Sequence, residues 1–337
     1  MKRNRSPEVS VIIPCYNEER TIQQLLQAIY DQTYPTENLE VIIADGQSTD
    51  RTRVRIEGFV KAHSDLTVKV IDNPKRTIPA AVNLAVGTAS AEFIIRMDAH
   101  SVPDRNYVKL CIDSIRSGKG DCVGGVWEIQ PGGEGWQARS ISVAAAHPLG
   151  VGDALYRYTN NSGEVDTVPF GSFRKTLFDQ LGGFNEELLS NEDYEFYSRL
   201  KKQGGKVWLD PAIRSVYYAR HSFKELARQY WRYGFWKFRM LIKYPETLRW
   251  RQALPPLYLI ALVLLLMATL IYSPSLYLLI SIIGIYSAVL IFTGALLALK
   301  RKDLGLVFGV PIAIATMHMS WGAGFLYSMI IKILNIK

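Results

Sequence analysis

Over the first hundred residues, short apolar runs alternate with segments that carry their apolar side chains at helical spacing. Residues 9–14 form an apolar run of strand length. Residues 21–32 follow, with Ile22, Leu25, Leu26 and Ile29 on one helical face. A second apolar run spans 39–44, and the polar turn Asp45-Gly46-Gln47-Ser48-Thr49-Asp50 opens a helix near 51–63. A third strand is expected over 67–71, an Ala-rich helix over 79–86, and a fourth strand over 92–97. Strands buried on both faces read as continuous apolar runs, and their alternation with helices predicts an α/β domain with a doubly wound, mostly parallel sheet.

The pattern changes sharply near the carboxyl end. Residues 254–299 contain no charged side chain, and 304–331 contain only His318. About 20 apolar residues cross the hydrocarbon core of a bilayer, so these stretches predict about three transmembrane helices, near 255–272, 276–299 and 304–331. Ser273-Pro274-Ser275 makes the first two a hairpin. Gly309 and Pro311 interrupt the third, which spans fully or is partly re-entrant. Lys300-Arg301-Lys302 places that loop in the cytoplasm by the positive-inside rule. The hairpin then leaves the amino-terminal domain on the same side, at the inner membrane of the cell. Lys332 and Lys337 would face outward if the third helix spans, which conflicts with that rule.

Between the two patterns lies 220–252, with nine Lys/Arg against two Glu, a net of +7 in a chain of net charge +8. Tyr230, Trp231, Tyr233, Phe235, Trp236, Phe238, Tyr244 and Trp250 are interleaved with these charges. Next to membrane helices, this composition predicts amphipathic interfacial helices on anionic headgroups rather than a nucleic-acid partner. The expected organisation is therefore a catalytic domain over 1–219, interfacial helices over 220–253 and a membrane region over 254–337. The start of the chain is short and basic and leads directly into a strand pattern, with no presequence pattern. Cys15, Cys111 and Cys122 have no metal-type spacing, and three cysteines make no even disulfide framework. Cys15 is expected to be a packed small residue.

Candidate chemistry gathers where strands end. Asp98-Ala99-His100 closes the fourth strand, and in open α/β sheets ligands bind beyond the carboxyl ends of the strands. A carboxylate and an imidazole there can hold a divalent cation and, through it, a phosphate. The turn after the first strand, Pro14-Cys15-Tyr16-Asn17-Glu18, lacks the Gly-x-Gly-x-x-Gly of dinucleotide sites, and no Gly-Lys-Ser/Thr phosphate loop is present. Tyr16 offers a stacking surface for a base. Asp45 can accept from a ring N–H or a ribose, or serve the turn; Asp50 is expected to cap a helix. Lys75 and Arg76 bring two cations to the end of the third strand.

Together these pieces resemble glycosyltransferase family 2, the inverting nucleotide-sugar enzymes of the GT-A fold. The matching stretches are 11–18, 40–50, Met97-Asp98-Ala99-His100, Gly171-Ser172-Phe173-Arg174, and 182–187 with Asn191-Glu192-Asp193. The Asp-Ala-His variant followed by a membrane region looks most like the ExoA-type glucosyltransferases of succinoglycan biosynthesis. The resemblance assigns Pro14, Tyr16, Glu18, Asp45 and Arg76 to the nucleotide-sugar pocket. It gives Asp98 to a diphosphate-bound Mn²⁺ or Mg²⁺, with His100 standing where the family usually has Asp. His221 is a candidate further ligand. Asp193 is expected to be the catalytic base at a helix opening, with Glu192 the next candidate. Gly171 and the Gln229-Tyr230-Trp231-Arg232-Tyr233 element, similar to the Gln-x-x-Arg-Trp of processive members, are expected near the acceptor and the diphosphate. The implied reaction moves a hexose, glucose from UDP-glucose, to a polyprenyl-diphosphate-linked glycan. The alternatives are a polyprenyl-phosphate hexose synthase and a catalytically silent membrane scaffold.

Overall fold

The computed structural model describes residues 6–335; the basic start of the chain before Ser6 and the terminal Lys337 lie outside them. Strands and helices alternate through β1 (Val9–Cys15), α1 (Ile22–Tyr30), β2 (Leu39–Asp45), α2 (Thr52–Ala62), β3 (Thr67–Asp72), α3 (Ile78–Thr88) and β4 (Phe93–Arg96). The chain continues through β5 (Val102–Pro103), α4 (Tyr107–Arg116), β6 (Cys122–Gln130), α5 (Trp136–Ala145) and α6 (Pro148–Val151). After these come β7 (Gly163–Glu164), β8 (Ser172–Arg174), α7 (Lys175–Leu181), α8 (Glu192–Lys202) and β9 (Val207–Tyr218). Four helices close the sequence: α9 (Phe223–Lys243), α10 (Trp250–Thr269), α11 (Ser275–Arg301) and α12 (Leu306–Ile333).

The strands form one mixed sheet in the order β3-β2-β1-β4-β8-β6-β9-β5, with β7 on β9. β3, β2, β1 and β4 are parallel, as their uninterrupted apolar runs predict. Their register pairs Cys15 with Asp45 and Asp45 with Asp72, and aligns Ile12 with Arg96. The carboxyl ends of all four strands therefore lie along one sheet edge. From β8 onward the pairing is antiparallel. Beneath the parallel half, Ile22, Leu25, Leu26 and Ile29 of α1 are wholly buried against Val11, Ile13 and Val41. Burying a large aliphatic side chain stabilises by roughly 1.5–3 kcal/mol, which holds α1 to the sheet despite the absence of a side-chain cap.

Two compact units emerge. The first comprises the chain up to Glu128 and Tyr158–Tyr217; the second comprises Ile129–Arg157 and the chain from Tyr218. The segment Ile129–Arg157, expected within the 1–219 domain, thus packs with the second unit. Where interfacial helices were expected over 220–253 there is one 21-residue helix, α9, followed by a 3₁₀ turn at Pro245–Thr247. Pro245 disfavours helical backbone at Tyr244, which ends α9. Helices α10, α11 and α12 hold 20, 27 and 28 residues and are long and apolar enough to cross a membrane. α12 runs unbroken through Gly309 and Pro311. Pro311 lacks the N–H that would bond to the Val307 carbonyl, and Gly294 of α11 packs against that oxygen and the proline ring.

Candidate active site

Three loops leave the carboxyl ends of β1, β2 and β3, and each holds one non-glycine residue in left-handed backbone: Asn17, Gln47 and Arg76. Such strain persists only where surrounding contacts fix it. Here Asn17 Oδ1 accepts from the Thr49 N–H (2.8 Å), and Ser48 Oγ accepts from the Asn17 N–H (2.8 Å). Asp45 is wholly buried. Its Oδ1 accepts from Ser48 Oγ (2.6 Å), while its Oδ2 accepts from Arg53 Nε (2.6 Å) and the Ser48 N–H (3.1 Å). These contacts make Asp45 an organiser of its turn. Asp50 accepts from the Thr52 N–H (3.0 Å) at the start of α2, one residue before the cap position held by Arg51.

Tyr16 stands 45% exposed at this edge, a flat ring open to a base. The Arg76 guanidinium lies 5.8 Å from its ring centroid and donates to Gln47 Oε1 (3.0 Å). Lys75 turns away to Glu186 (2.6 Å). Pro14 lies in β1, and Cys15 is buried, which raises its thiol pKa, as a packed residue requires. Glu18 accepts from Thr21 Oγ1 (2.5 Å) and sits 3.1 Å from His100 Nδ1.

Asp98 and His100 follow β4. Both side chains reach solvent, at 27% and 44%. Among the described residues no group of three or more His, Cys, Asp or Glu side chains is assembled to hold a metal. A cation shared with a diphosphate needs only one or two protein groups, because phosphate oxygens and water complete its shell. The Asp98 carboxylate and the His100 imidazole fit that partial ligand set. His221 belongs to the second unit, where it pairs with Glu225 (3.0 Å) at the start of α9.

The residue that sequence reasoning passed over is Arg96. It is 7% exposed at the end of β4. One nitrogen, Nη2, donates to Asp98 Oδ1 (3.3 Å) and to Glu192 Oε1 (3.1 Å). Its only signal in the sequence was a cation at the end of an otherwise apolar strand. Glu192 and Asp193 open α8, whose first residue follows Asn191 in left-handed backbone. Asp193 Oδ1 accepts from the Tyr194 N–H (2.7 Å). Burial raises both carboxyl pKa values, against the opposing charge of Arg96.

Gly171 has a packing role. A Cβ there would lie 2.3 Å from Tyr197 Oη and 2.8 Å from Cys122 Sγ. On α9, Gln229 Nε2 donates to Tyr233 Oη (3.0 Å) one turn away, and Arg232 is exposed.

A mixed sheet with its chemistry at the carboxyl ends of four parallel strands defines an enzyme of the GT-A type. The profile of glycosyl transferase family 2 matches residues 10–182, and the chain belongs to that family. It is 31% identical to the succinoglycan biosynthesis protein ExoA of Rhizobium meliloti (strain 1021), over 94% of this chain and 93% of that protein. It is 29% identical to a dolichyl N-acetyl-α-D-glucosaminyl phosphate 3-β-D-2,3-diacetamido-2,3-dideoxy-β-D-glucuronosyltransferase of Methanococcus voltae, over 96% and 97% of the two chains. Among solved structures, the mannosyltransferase PcManGT from Pyrobaculum calidifontis, in complex with GDP-Man and Mn²⁺, superposes with a TM-score of 0.62. That match covers 99% of this chain and 89% of that one at 19% identity, and it shows the shared fold. The protein is a glycosyltransferase, which sets the silent-scaffold alternative aside.

Proposed function

We propose that the enzyme transfers a hexose, glucose from UDP-glucose, with inversion to a polyprenyl-diphosphate-linked glycan at the cytoplasmic face of the inner membrane. The observation that carries this is the buried Arg96 bridging Asp98 to Glu192. It joins a carboxylate suited to the donor's diphosphate with a carboxylate pair suited to an acceptor hydroxyl. Tyr16 stacks on the base, and Arg76 lies beside it against the phosphates. Asp98 and His100 would hold Mn²⁺ or Mg²⁺, which when bound supplies charge neutralisation for the departing diphosphate. Asp193 accepts the proton of the attacking hydroxyl, its carboxylate aimed from the first turn of α8. One base and one displacement invert the anomeric centre. The name of the M. voltae relative, a transferase acting on a dolichyl-phosphate-linked sugar, supports a lipid-linked acceptor, and that of the R. meliloti relative, a succinoglycan biosynthesis protein, supports glycan synthesis.

A second reading makes polyprenyl monophosphate itself the acceptor; the M. voltae relative's name supports a monophosphate-linked lipid, there already carrying a sugar. Both are tested by incubating enriched membranes with a panel of labelled nucleotide sugars, then extracting and identifying labelled lipid. Label from UDP-glucose in a lipid-diphosphate oligosaccharide is expected. Label in a short, acid-labile lipid monophosphate sugar would instead establish the synthase activity. Addition of EDTA should abolish transfer, and full activity after chelation would remove the assignment of a cation to Asp98 and His100.

A further inference from the structure

We propose that Arg96 is a positioning residue that locks Asp98 and Glu192 into one geometry, so that donor and acceptor groups are set by a single buried cation. Arg96 ends β4, and Asp98, two residues further on, brings its carboxylate back to the Arg96 guanidinium (3.3 Å). Glu192 arrives from α8, 96 positions later in the chain. The shared Nη2 donates to both carboxylates, so any movement of the guanidinium alters both charge-assisted bonds at once. The guanidinium Nε is buried and has no hydrogen-bond partner among the described residues, so Arg96 is not placed there to satisfy its own donors. Stability does not account for the arrangement either. A well-packed apolar pair commonly replaces a buried ion pair without loss, whereas removing one partner alone is strongly destabilising. Asp193 and Tyr197 also face Arg96, so this cation gathers the groups of the site around one point.

This inference rests on the proposed roles of Asp98 and Asp193, and its test separates the two. Arg96→Met alone is expected to fold poorly; the double substitution Arg96→Met with Glu192→Met, which still leaves Asp193 without its opposing charge, is expected to melt below the native enzyme but to stay folded at the assay temperature. Despite that, its kcat at saturating substrates should fall at least about 100-fold, the loss typical of a misplacement near 1 Å. Arg96→Lys, which keeps the charge but not the fork, should recover part of kcat with less effect on the donor KM. A double variant turning over within threefold of the native rate would overturn the positioning role. Native turnover in Asp193→Asn would instead overturn the base assignment, whatever the double variant does.

A separate set of contacts carries a second inference: the membrane is crossed twice, by α10 and α11, and α12 lies along the interface. Of the three apolar helices α12 is the most covered, with 39% of its apolar window buried against 6% for α10 and 22% for α11. Its second half packs on α9. A Cβ at Gly234 would lie 2.0 Å from the Trp321 carbonyl, and one at Gly324 would lie 2.2 Å from the Trp231 carbonyl, so the two backbones touch. Phe238 and Phe325 add an edge contact at 5.3 Å. α9 carries six Lys/Arg, with Arg228 and Arg232 exposed, and each would cost roughly 2.5–3.5 kcal/mol at the bilayer centre. The half of α12 that lies on α9 is therefore at the polar boundary.

The first half of α12 meets polar partners too. Asp303, just before it, pairs with Arg139 (2.8 Å), Gly309 abuts Ser140, and His318 Nε2 donates to the Leu149 carbonyl (2.8 Å). α12 touches the α10–α11 hairpin near its root at Gly294 and Pro255, and midway along α11 at Tyr286. The hairpin tip around 263–285 is largely exposed. A helix lying across the root returns Lys332 to the side of Lys300 and Lys302, which removes the charge conflict in the sequence.

Single-cysteine accessibility decides it, because the three native cysteines are buried and label weakly. Ser273→Cys and Asn335→Cys are each treated with a membrane-impermeant maleimide in right-side-out and inside-out vesicles. Outside labelling of Ser273→Cys with inside-only labelling of Asn335→Cys is expected; any other pattern overturns the two-crossing topology.

Discussion

Gly171 separates a packing role from an acceptor role. In Gly171→Ala the new methyl group would sit 2.3 Å from Tyr197 Oη and 2.8 Å from Cys122 Sγ, where ordinary contact is about 3.4 Å or more. Neither neighbour can retreat. Tyr197 is 2% exposed and donates to the Val168 carbonyl (3.2 Å), and Cys122 is fully buried. Overpacking of this kind costs about 1–3 kcal/mol, and displacing the buried hydroxyl from its acceptor adds about 1 kcal/mol or more. With a total near 3 kcal/mol, the melting temperature of a unit this size should fall by roughly 6–12 °C. Scanning calorimetry of the purified enzyme measures it. Tyr197→Phe removes the nearest obstructing atom, so Gly171→Ala should cost at least about 1 kcal/mol less in that background. A Gly171→Ala enzyme that melts within 2 °C of the native one but loses turnover would refute the packing argument and return Gly171 to the acceptor site.

Asp193→Asn should keep nucleotide-sugar binding, measured by titration calorimetry, while kcat falls roughly 10²–10⁴-fold; near-native turnover would move the base to Glu192. Burial disfavours the Glu40 carboxylate, but Lys69 (2.9 Å), Ser10 (2.6 Å) and Ser90 outweigh it and hold its pKa to about 2. The stabilisation from this depressed acid is complete above its unfolded value of 4.5 and is lost as pH falls towards 2. Glu40→Gln should therefore remove about 2 kcal/mol, after allowance for solvent around Lys69, and flatten the acid limb of the stability curve; superimposable limbs would contradict this. Burial pulls Lys237 down to about 8, with Asp153 opposing only in part. Its penalty is complete below that pH and fades towards 10.5, so stability in detergent should rise across that window and Lys237→Met should abolish the rise.

The parallel half of the sheet was legible because each of its strands is a continuous apolar run with a helix of clear periodicity beside it. Ile22, Leu25, Leu26 and Ile29 were on the buried face, and α1 begins and ends within two residues of the expected span. The antiparallel half was not legible. β5 and β7 hold two residues each and β8 holds three, too short for any period, and their pairing joins distant parts of the chain. The apolar helices were visible from composition, and α9 from its mixture of basic and aromatic residues. Nothing in the local pattern told that Ile129–Arg157 packs with those helices.

The site divides in the same way. Asp98-Ala99-His100 and Glu192-Asp193 were visible as carboxylates and imidazole at element ends, where chemistry is expected. That Asp45 meets Ser48 and Arg53, that His100 meets Glu18, and that Gly171 is held by Tyr197 are facts of packing. By itself the sequence determined the strand ends that carry chemistry, the family, and the apolar helices, because these depend on residue type and local spacing. Only the tertiary structure decided that Arg96 binds Asp98 to Glu192, because an ion pair between residues 96 positions apart exists only once β4 and the start of α8 are folded against each other.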